Sequence, residues 1–398
     1  MNKVNKFSML TFKSNYQRLY LPATILAIAV STVSCSTSQA NDPQDTTIKK
    51  VAVTATSKGC EPAQIETTAG KTTFVITNKG DTPLEFEILA GVKVIEEREN
   101  IAPNFVQEMK ANLEAGEYDL ICGKIGLPKG KLIVKAAPKE EATQAKSPVD
   151  QNKLVGAIAE YKVYVLQEVD QLVPKTKIFT DAVIANDIAA AQKAYAEARV
   201  HWERIEPIAE LFSDLDTSID ARADKFTKKE LDPEFTGFHR LEKALFQEKS
   251  TAEMAPIAKK LMTDTLELQK RIKDLAIEPK NMVGGASVLI EEVAANKITG
   301  EENRYAHTDL VDFQANIDGS QKIVELLRPL VQKANPEFLP KVDANFTKVN
   351  QSLSKYKTPE GDFVSYEKLT ESDKKELKAV LASLSEDLSK LRGILGVD

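Results

Sequence analysis

HWERIEP, residues 201–207, and GFHRLE, residues 237–242, decide how the larger part of this chain is read. In the first string Glu203 and Glu206 stand three apart; in the second His239 and Glu242 do. Residues three apart share one side of an α-helix, so each string presents two oxygen or nitrogen donors to one point. Two such helices facing each other make a metal site. Its donor set, mostly carboxylate with one imidazole, suits iron or manganese better than Cu(I). Against this stands a plainer reading. Glu-x-x-Glu is common on solvated helix faces in a chain that is 28% charged. A lone histidine in an apolar run such as Phe235, Phe238, Leu241 and Leu245 is ordinarily a satisfied core group. The residue types by themselves leave the two readings level. His201 is two residues from Glu203, about 200° around the helix, and is not counted among the ligands.

Around these strings, from residue 151 to 398, apolar residues recur with a period of 3.6. Helices are expected over 151–172, 175–205, 234–247, 253–276, 281–297, 309–334, 339–356 and 370–395, with Pro174, Pro207, Pro279 and Pro336 as punctuation. Pro207 directly follows Glu206, so the helix should end or kink there and leave carbonyls unpaired beside the two glutamates. Between the strings lies FSDLDTSIDARADKF with Asp214, Asp216, Asp220 and Asp224, and further on ITGEENRYAHTDL with Glu301, Glu302, His307 and Asp309. Helical bundles commonly hold metals with inward carboxylates and histidines.

Ahead of this region, residues 48–135 read as all-β. KKVAVTAT, KTTFVIT, LEFEIL, EYDLIC and GKLIVKA recur between turn signals, as in a small Greek-key sandwich. The two regions are joined by a linker, residues 136–150, AAPKEEATQAKSPVD, which is rich in Ala, Lys, Glu and Pro and lacks apolar periodicity. All three histidines, His201, His239 and His307, lie beyond the β region, which argues against a blue-copper electron carrier. Cys60 and Cys122 both fall within it. They read either as a disulfide, the default for an exported chain, or as paired thiolate ligands for copper, with acids such as Glu85, Glu87 and Asp119 nearby in the sequence pattern.

Residues 1–34 have the form of an export signal. Lys3, Lys6, Lys13 and Arg18 precede the apolar stretch 19–33, which is too short to span a membrane stably. Thr32-Val33-Ser34-Cys35 places small residues before a cysteine, as at a lipidation site; the competing cut follows Ala40. The signal carries four positive charges and no negative one, so the formal net charge of −6 becomes −10 without it. There is no basic stripe or RNA-binding aromatic motif, which makes nucleic acid an unsuitable partner.

ERIEP followed by DLDTSIDARAD, the His-x-x-Glu of GFHRLE, and ITGEENRYAHTDLVDFQAN carry a resemblance that also runs through CEP, LEFEILAGVKVIEERENIAP and GEYDLICG in the first domain. The chain resembles the periplasmic component of bacterial Efe-type iron-uptake systems, which joins an N-terminal cupredoxin-like domain to a C-terminal imelysin-like helical domain. The resemblance implies an all-β cupredoxin-like Greek-key sandwich followed by an all-α imelysin-like double helical bundle with a metal site in its cleft. Position by position it implies Glu203, Glu206, Asp220, His239, Glu242 and Glu302 as metal ligands, and Cys60, Glu85 and Cys122 as a second set. It further implies iron as cargo, Fe²⁺ or Fe³⁺, with copper in the first domain and zinc as a surrogate. A membrane ferric permease and a haem peroxidase are the implied partners. The protein would sit in the periplasm, and a lipid on Cys35, giving membrane contact, would depart from the soluble form.

The imelysin-like domain carries a peptidase-family name, so a metal-dependent peptidase is the alternative. A zinc peptidase presents His-Glu-x-x-His. Glu242 stands where the second histidine would be, so the expectation is a non-enzyme. A surface protein binding polysaccharide or another protein through the cleft is the third reading.

Overall fold

The computed structural model describes residues 49–137 and 151–397. The export signal, Cys35 and Ala40 lie outside the described residues.

The first domain contains β1 Lys49–Thr56, β2 Gly59–Glu61, β3 Gln64–Thr68, β4 Gly70–Asn78, β5 Leu84–Ala90, β6 Lys93–Ile101, β7 Val106–Leu113, β8 Gly116–Cys122 and β9 Gly130–Lys135. They form two sheets, ordered β2-β1-β4-β7 and β3-β9-β8-β5-β6. β1 runs parallel to β4 and β3 parallel to β9; the remaining pairs are antiparallel. Alternate residues of the strands, including Val53, Phe74, Ile76, Phe86, Ile88, Leu120 and Leu132, are buried between the sheets, the period-2 pattern of a sandwich. Five of the strands match the apolar runs expected from sequence. β2, β3, β6 and β7 were not expected: β2 is only three residues long, and in β6 five of nine residues are charged. Cys60 on β2 and Cys122 on β8 are joined by a disulfide that links one sheet to the other.

The second domain contains α1 Leu154–Ile184, α2 Ile188–Ala209, α3 Ser213–Ile219, α4 Gly237–Glu242, α5 Ala255–Asp274, α6 Pro279–Ala295, α7 Asp309–Ala334, α8 Phe338–Ser354, α9 Glu371–Leu388 and α10 Leu391–Leu395. α1 packs on α2 and α5, with α4 closing that group; α6, α7, α8 and α9 form the other, and α2 joins the two through α6 and α7. One apolar core runs through both groups. Among the described residues no helix is long and apolar enough to cross a membrane.

Two prolines do not punctuate as expected. α1 continues through Pro174, and the chain turns only at 185–187, where Asn186 has a φ of 60° and the Asp187 side chain caps α2. Leu172, Thr176, Phe179 and Val183 are buried on either side of Pro174, so packing outweighs the lost hydrogen bond. α2 likewise runs through Pro207 to Ala209. The carbonyl of Glu203, four residues earlier, lacks its usual N–H partner because proline has none, and the Asn316 side-chain amide donates to it at 3.0 Å.

The β domain is seated on the helices by backbone as well as side chains. Val94 N–H donates to Leu211 O at 3.0 Å, Ser213 N–H to Val92 O at 3.1 Å and Ile125 N–H to Lys225 O at 2.8 Å. Lys93 pairs with Glu278 at 2.8 Å, Lys280 with Glu96 at 2.6 Å and Arg98 with Glu291 at 3.1 Å.

Candidate metal centre

α4 begins at Gly237, whose φ of +72° and lack of a side chain allow close approach to the end of α3: a Cβ there would lie 2.1 Å from the Ile219 carbonyl oxygen. Thr236 Oγ1 donates to Ser218 O at 3.0 Å across the same contact. Asp220, the residue that ends α3, is thereby held beside His239, with its Oδ1 3.5 Å from Nε2. On the other edge of the ring Nδ1 faces Glu242 Oε2 at 3.1 Å. The second Glu242 oxygen accepts N–H groups of Tyr305 at 2.7 Å and Ala306 at 2.9 Å. Burial pushes the Glu242 carboxyl up to about 8, against those two N–H groups. Burial, and then the nearby Arg199, hold His239 well below its ordinary range, so the ring is neutral at pH 7. A proton on the Glu242 edge leaves the Nε2 lone pair facing Asp220. Nε2 is buried and has no hydrogen-bond partner among the described residues. Ligand atoms of Asp220, His239 and Glu302 lie within 4.8 Å of one another.

Glu203, Glu206 and Glu302 are enclosed by cations. Arg199, completely buried, donates from Nε to Asp312 at 2.8 Å and from a terminal nitrogen to Glu302 at 2.6 Å, and also contacts Asp220 and Glu203. Lys297 Nζ donates to Glu203 Oε2 at 3.0 Å and to both oxygens of Glu206 at 2.6 and 2.9 Å. Asn316 donates to Glu203 at 2.9 Å and Glu206 at 2.8 Å, and Arg222 pairs with Glu302. Burial works against the charge on Glu302, but Lys297, Arg222 and Arg199 hold it below the carboxylate range. Burial, only partly opposed by Arg199, pushes Asp220 up to about 7.

The six residues singled out in the helical domain therefore divide. Asp220, His239 and Glu302 converge, Glu242 stands behind the imidazole, and Glu203 and Glu206 face Arg199, Lys297 and Asn316. His201 stands apart, with Nδ1 2.6 Å from Glu168. Of the second set, Cys60 and Cys122 are bonded to each other and Glu85 is paired with Lys225 from the helical domain. Of the two alternatives for the cysteines the structure holds the disulfide, and in the oxidised chain no thiolate is available to ligate copper.

A cavity of about 410 Å³ opens from Asp220 and Glu302 toward the β domain. Twelve carboxylate side chains line it, among them Glu97 and Glu99 of β6 and Glu206, Glu210, Asp216 and Glu292, against five basic ones. This excess suits a cation rather than an anion. Burial, then Glu87, push Glu97 up to about 8, and burial also raises Glu99, Glu210 and Asp216. Sequence reasoning missed Arg199, Lys297, Asn316 and, of this wall, Glu97, Glu99, Glu210 and Glu292. Arg199 is four residues before Glu203, and Glu97 and Glu99 alternate onto one strand face, so both carried a local signal. Lys297 and Asn316 carried none.

Comparison with known proteins agrees with this architecture. A model for cupredoxin-like domains matches residues 24–134, and the model for imelysin, Peptidase_M75, matches residues 157–391. The iron uptake system component EfeO of Escherichia coli strain K12 is 56% identical over 351 residues, covering 88% of this chain and 92% of that protein. EfeO of Escherichia coli O6:K15:H31 is 56% identical over 373 residues, 94% of this chain and 98% of its own, and EfeO of Shigella flexneri is likewise 56% identical over 351 residues. With a cupredoxin-like sandwich seated on an imelysin-like double bundle, the chain belongs to the imelysin family and, within it, to the EfeO iron uptake system components.

Proposed function

We propose that the protein captures iron outside the cytoplasm, in the periplasm, and passes it to a membrane ferric permease. The observation that carries this reading is the buried, unpartnered Nε2 of His239 beside Asp220 and Glu302. A neutral imidazole held from behind by a carboxylate is the arrangement of metal-ligating histidines. Asp220, His239 and Glu302 would take the ion, Glu242 would orient the ring, and the acidic cavity would gather cations toward it. The relatives' name as iron uptake components supports iron as the cargo, with zinc or manganese as surrogates. The Cys60–Cys122 disulfide and the basic and apolar leader support export, with lipid at Cys35 as the anchor. A haem peroxidase is the second partner of this reading. Because the cleft offers one histidine and the relatives carry a transport name, the protein is read as a non-enzyme; cleavage of a peptide library by the metal-loaded protein would restore the peptidase alternative.

The test is metal binding by the full mature chain. His239→Ala should weaken iron or Mn²⁺ binding at least tenfold with helicity intact, whereas His201→Ala should bind as the wild type does. Equal affinity in wild type and His239→Ala would overturn the assignment.

A further inference from the structure

The β domain meets the helices at two ends of the cavity, and the two ends are built differently. At one end β6 is fixed to the corner between α2 and α3 by the main-chain bonds at Leu211 and Ser213, and to α6 by the Lys93–Glu278, Lys280–Glu96 and Arg98–Glu291 pairs. At the other end the contact is made by the 123–129 loop between β8 and β9 and by the 221–235 stretch between α3 and α4, which holds only short 3₁₀ turns. There Ile125 lies along Phe226: its N–H donates to Lys225 O at 2.8 Å and its carbonyl accepts from Thr227 N–H at 3.3 Å. The next residue, Gly126, has a φ of +91°, and a Cβ on it would come within 3.2 Å of Thr227 Oγ1. The Ile125 side chain packs on Ala223, Phe226 and Phe235, a small apolar cluster apart from the main helical core. Lys225 is paired with Glu85 of β5. The loop is braced from behind, because it starts directly after Cys122, which is bonded to Cys60, and Gly123 N–H donates to Glu85 O at 2.9 Å.

We infer that Ile125 is a latch: seated on Phe226 and Phe235 it holds this end of the cavity shut, and its release, with β6 still seated at the other end, opens the cavity for a cation to enter or leave. This rests on the metal-binding reading above and names the part of the fold that sets how fast the ion exchanges. Gly123 and Ile125 from one side and Ala221, Arg222 and Lys225 from the other line the cavity, so the latch is part of its wall. Arg222, on the same stretch, pairs with Glu302, which carries any movement of the stretch to the metal group. Elements that open locally are those with few buried apolar contacts. The latch rests on three buried side chains, Ala223, Phe226 and Phe235, whereas the helices it closes against share one continuous core. Its opening therefore costs less than parting the helices, and less than lifting β6 with its three ion pairs to α6 and the residue before it.

The experiment compares the full mature chain with Ile125→Ala, using Mn²⁺ alone as the probe. Release of Mn²⁺ into excess chelator and its uptake by the metal-free chain are followed by stopped flow, and amide hydrogen exchange is read by mass spectrometry over 123–129 and 221–235. Both release and uptake should be at least tenfold faster in Ile125→Ala, with equilibrium affinity within threefold of wild type, because the substitution leaves the ligands themselves in place. Amide exchange should rise at least tenfold in those two segments and stay unchanged in α1 and α2. Release and uptake at wild-type rates, or unchanged amide exchange in the two segments, overturn the inference. Faster release with uptake unchanged would make Ile125 a determinant of affinity instead, and overturns it too. Should Ile125→Ala fail to fold, Lys225→Met, which removes the pair with Glu85, decides by the same readings. A wild-type chain that holds no Mn²⁺ and no iron would sink the metal-binding reading itself, and the amide exchange would then decide the latch alone.

Discussion

Replacing Arg199 with methionine should be among the most damaging single changes in the helical domain, and also one that acid relieves. The guanidinium is 0% exposed and contacts Glu203, Asp220, Glu302 and Asp312. Its carbon lies 5.6 Å from the Phe238 ring centroid and 6.0 Å from that of Tyr195, so aromatic faces close the remaining sides. Removing one partner of a buried ion pair costs about 3–5 kcal/mol, because the charge left behind has neither water nor counter-ion. Here four carboxylates lose a partner, but Lys297, Arg222 and Asn303 continue to serve three of them, Asn303 by donating to Asp312 at 2.6 Å. The loss should therefore stay within that range rather than multiply. A domain of this size loses about 2–4 °C per kcal/mol, so melting should fall by about 6–20 °C at pH 7.5. The carboxylates of the variant rise in pKa, so they are protonated in the folded chain at lower pH, and the deficit should narrow between pH 7.5 and pH 5.5. Urea denaturation followed by circular dichroism at both pH values measures this. A loss under 1 kcal/mol, or a deficit that widens on acidification, would refute the account of Arg199 as the counter-ion of this cluster.

Three further outcomes are expected. Gly319→Ala should destabilise the protein by about 1–3 kcal/mol, because a Cβ there would lie 2.4 Å from the Arg204 carbonyl oxygen and push α7 off α2; a thermal melt equal to wild type would contradict the close helix contact. Reducing the Cys60–Cys122 bridge, which spans a sequence separation of 62, should lower the stability of the sandwich by about 4 kcal/mol and release two thiols measurable by alkylation, while copper binding through those sulfurs should appear only after reduction. In the metal-free protein Glu97 and Glu242 titrate near 8 and Asp220 near 7, all above the unfolded carboxylate range near 4. Their contribution to stability is complete below that range and is lost as pH rises through 7 to 8, so melting should fall between pH 6 and pH 8.5 and Mn²⁺ should restore more at the higher pH; a metal-free melt that rises across this window would be the contrary result.

Much of the architecture was legible in local pattern. The 3.6-residue recurrence after residue 151 marked helices because one stripe of each must face the shared core, and strand alternation marked β1, β4, β5, β8 and β9 because each buries every second side chain. His239 and Glu242 were readable as a unit because one helical turn brings them together whatever the rest of the chain does. The proline boundaries were misplaced for the opposite reason. Whether a helix survives Pro174 depends on residues packed against it from elsewhere, and whether it survives Pro207 depends on an Asn316 amide 113 residues beyond Glu203.

What only the tertiary structure decided is the state of the carboxylates. Sequence identified Glu203, Glu206, Asp220 and Glu302 as acids able to bind a cation, and spacing cannot say more than that, since charge is felt through space rather than along the chain. Folding delivers Lys297 and Arg199 to Glu203, Glu206 and Glu302, leaves His239 Nε2 beside Asp220 without a partner, and closes the cleft with Glu97 and Glu99 from the other domain. Burial then removes the water that would have screened these groups, and the distances between them, set by helices and strands far apart in sequence, determine which acids are already neutralised and which still face the cavity.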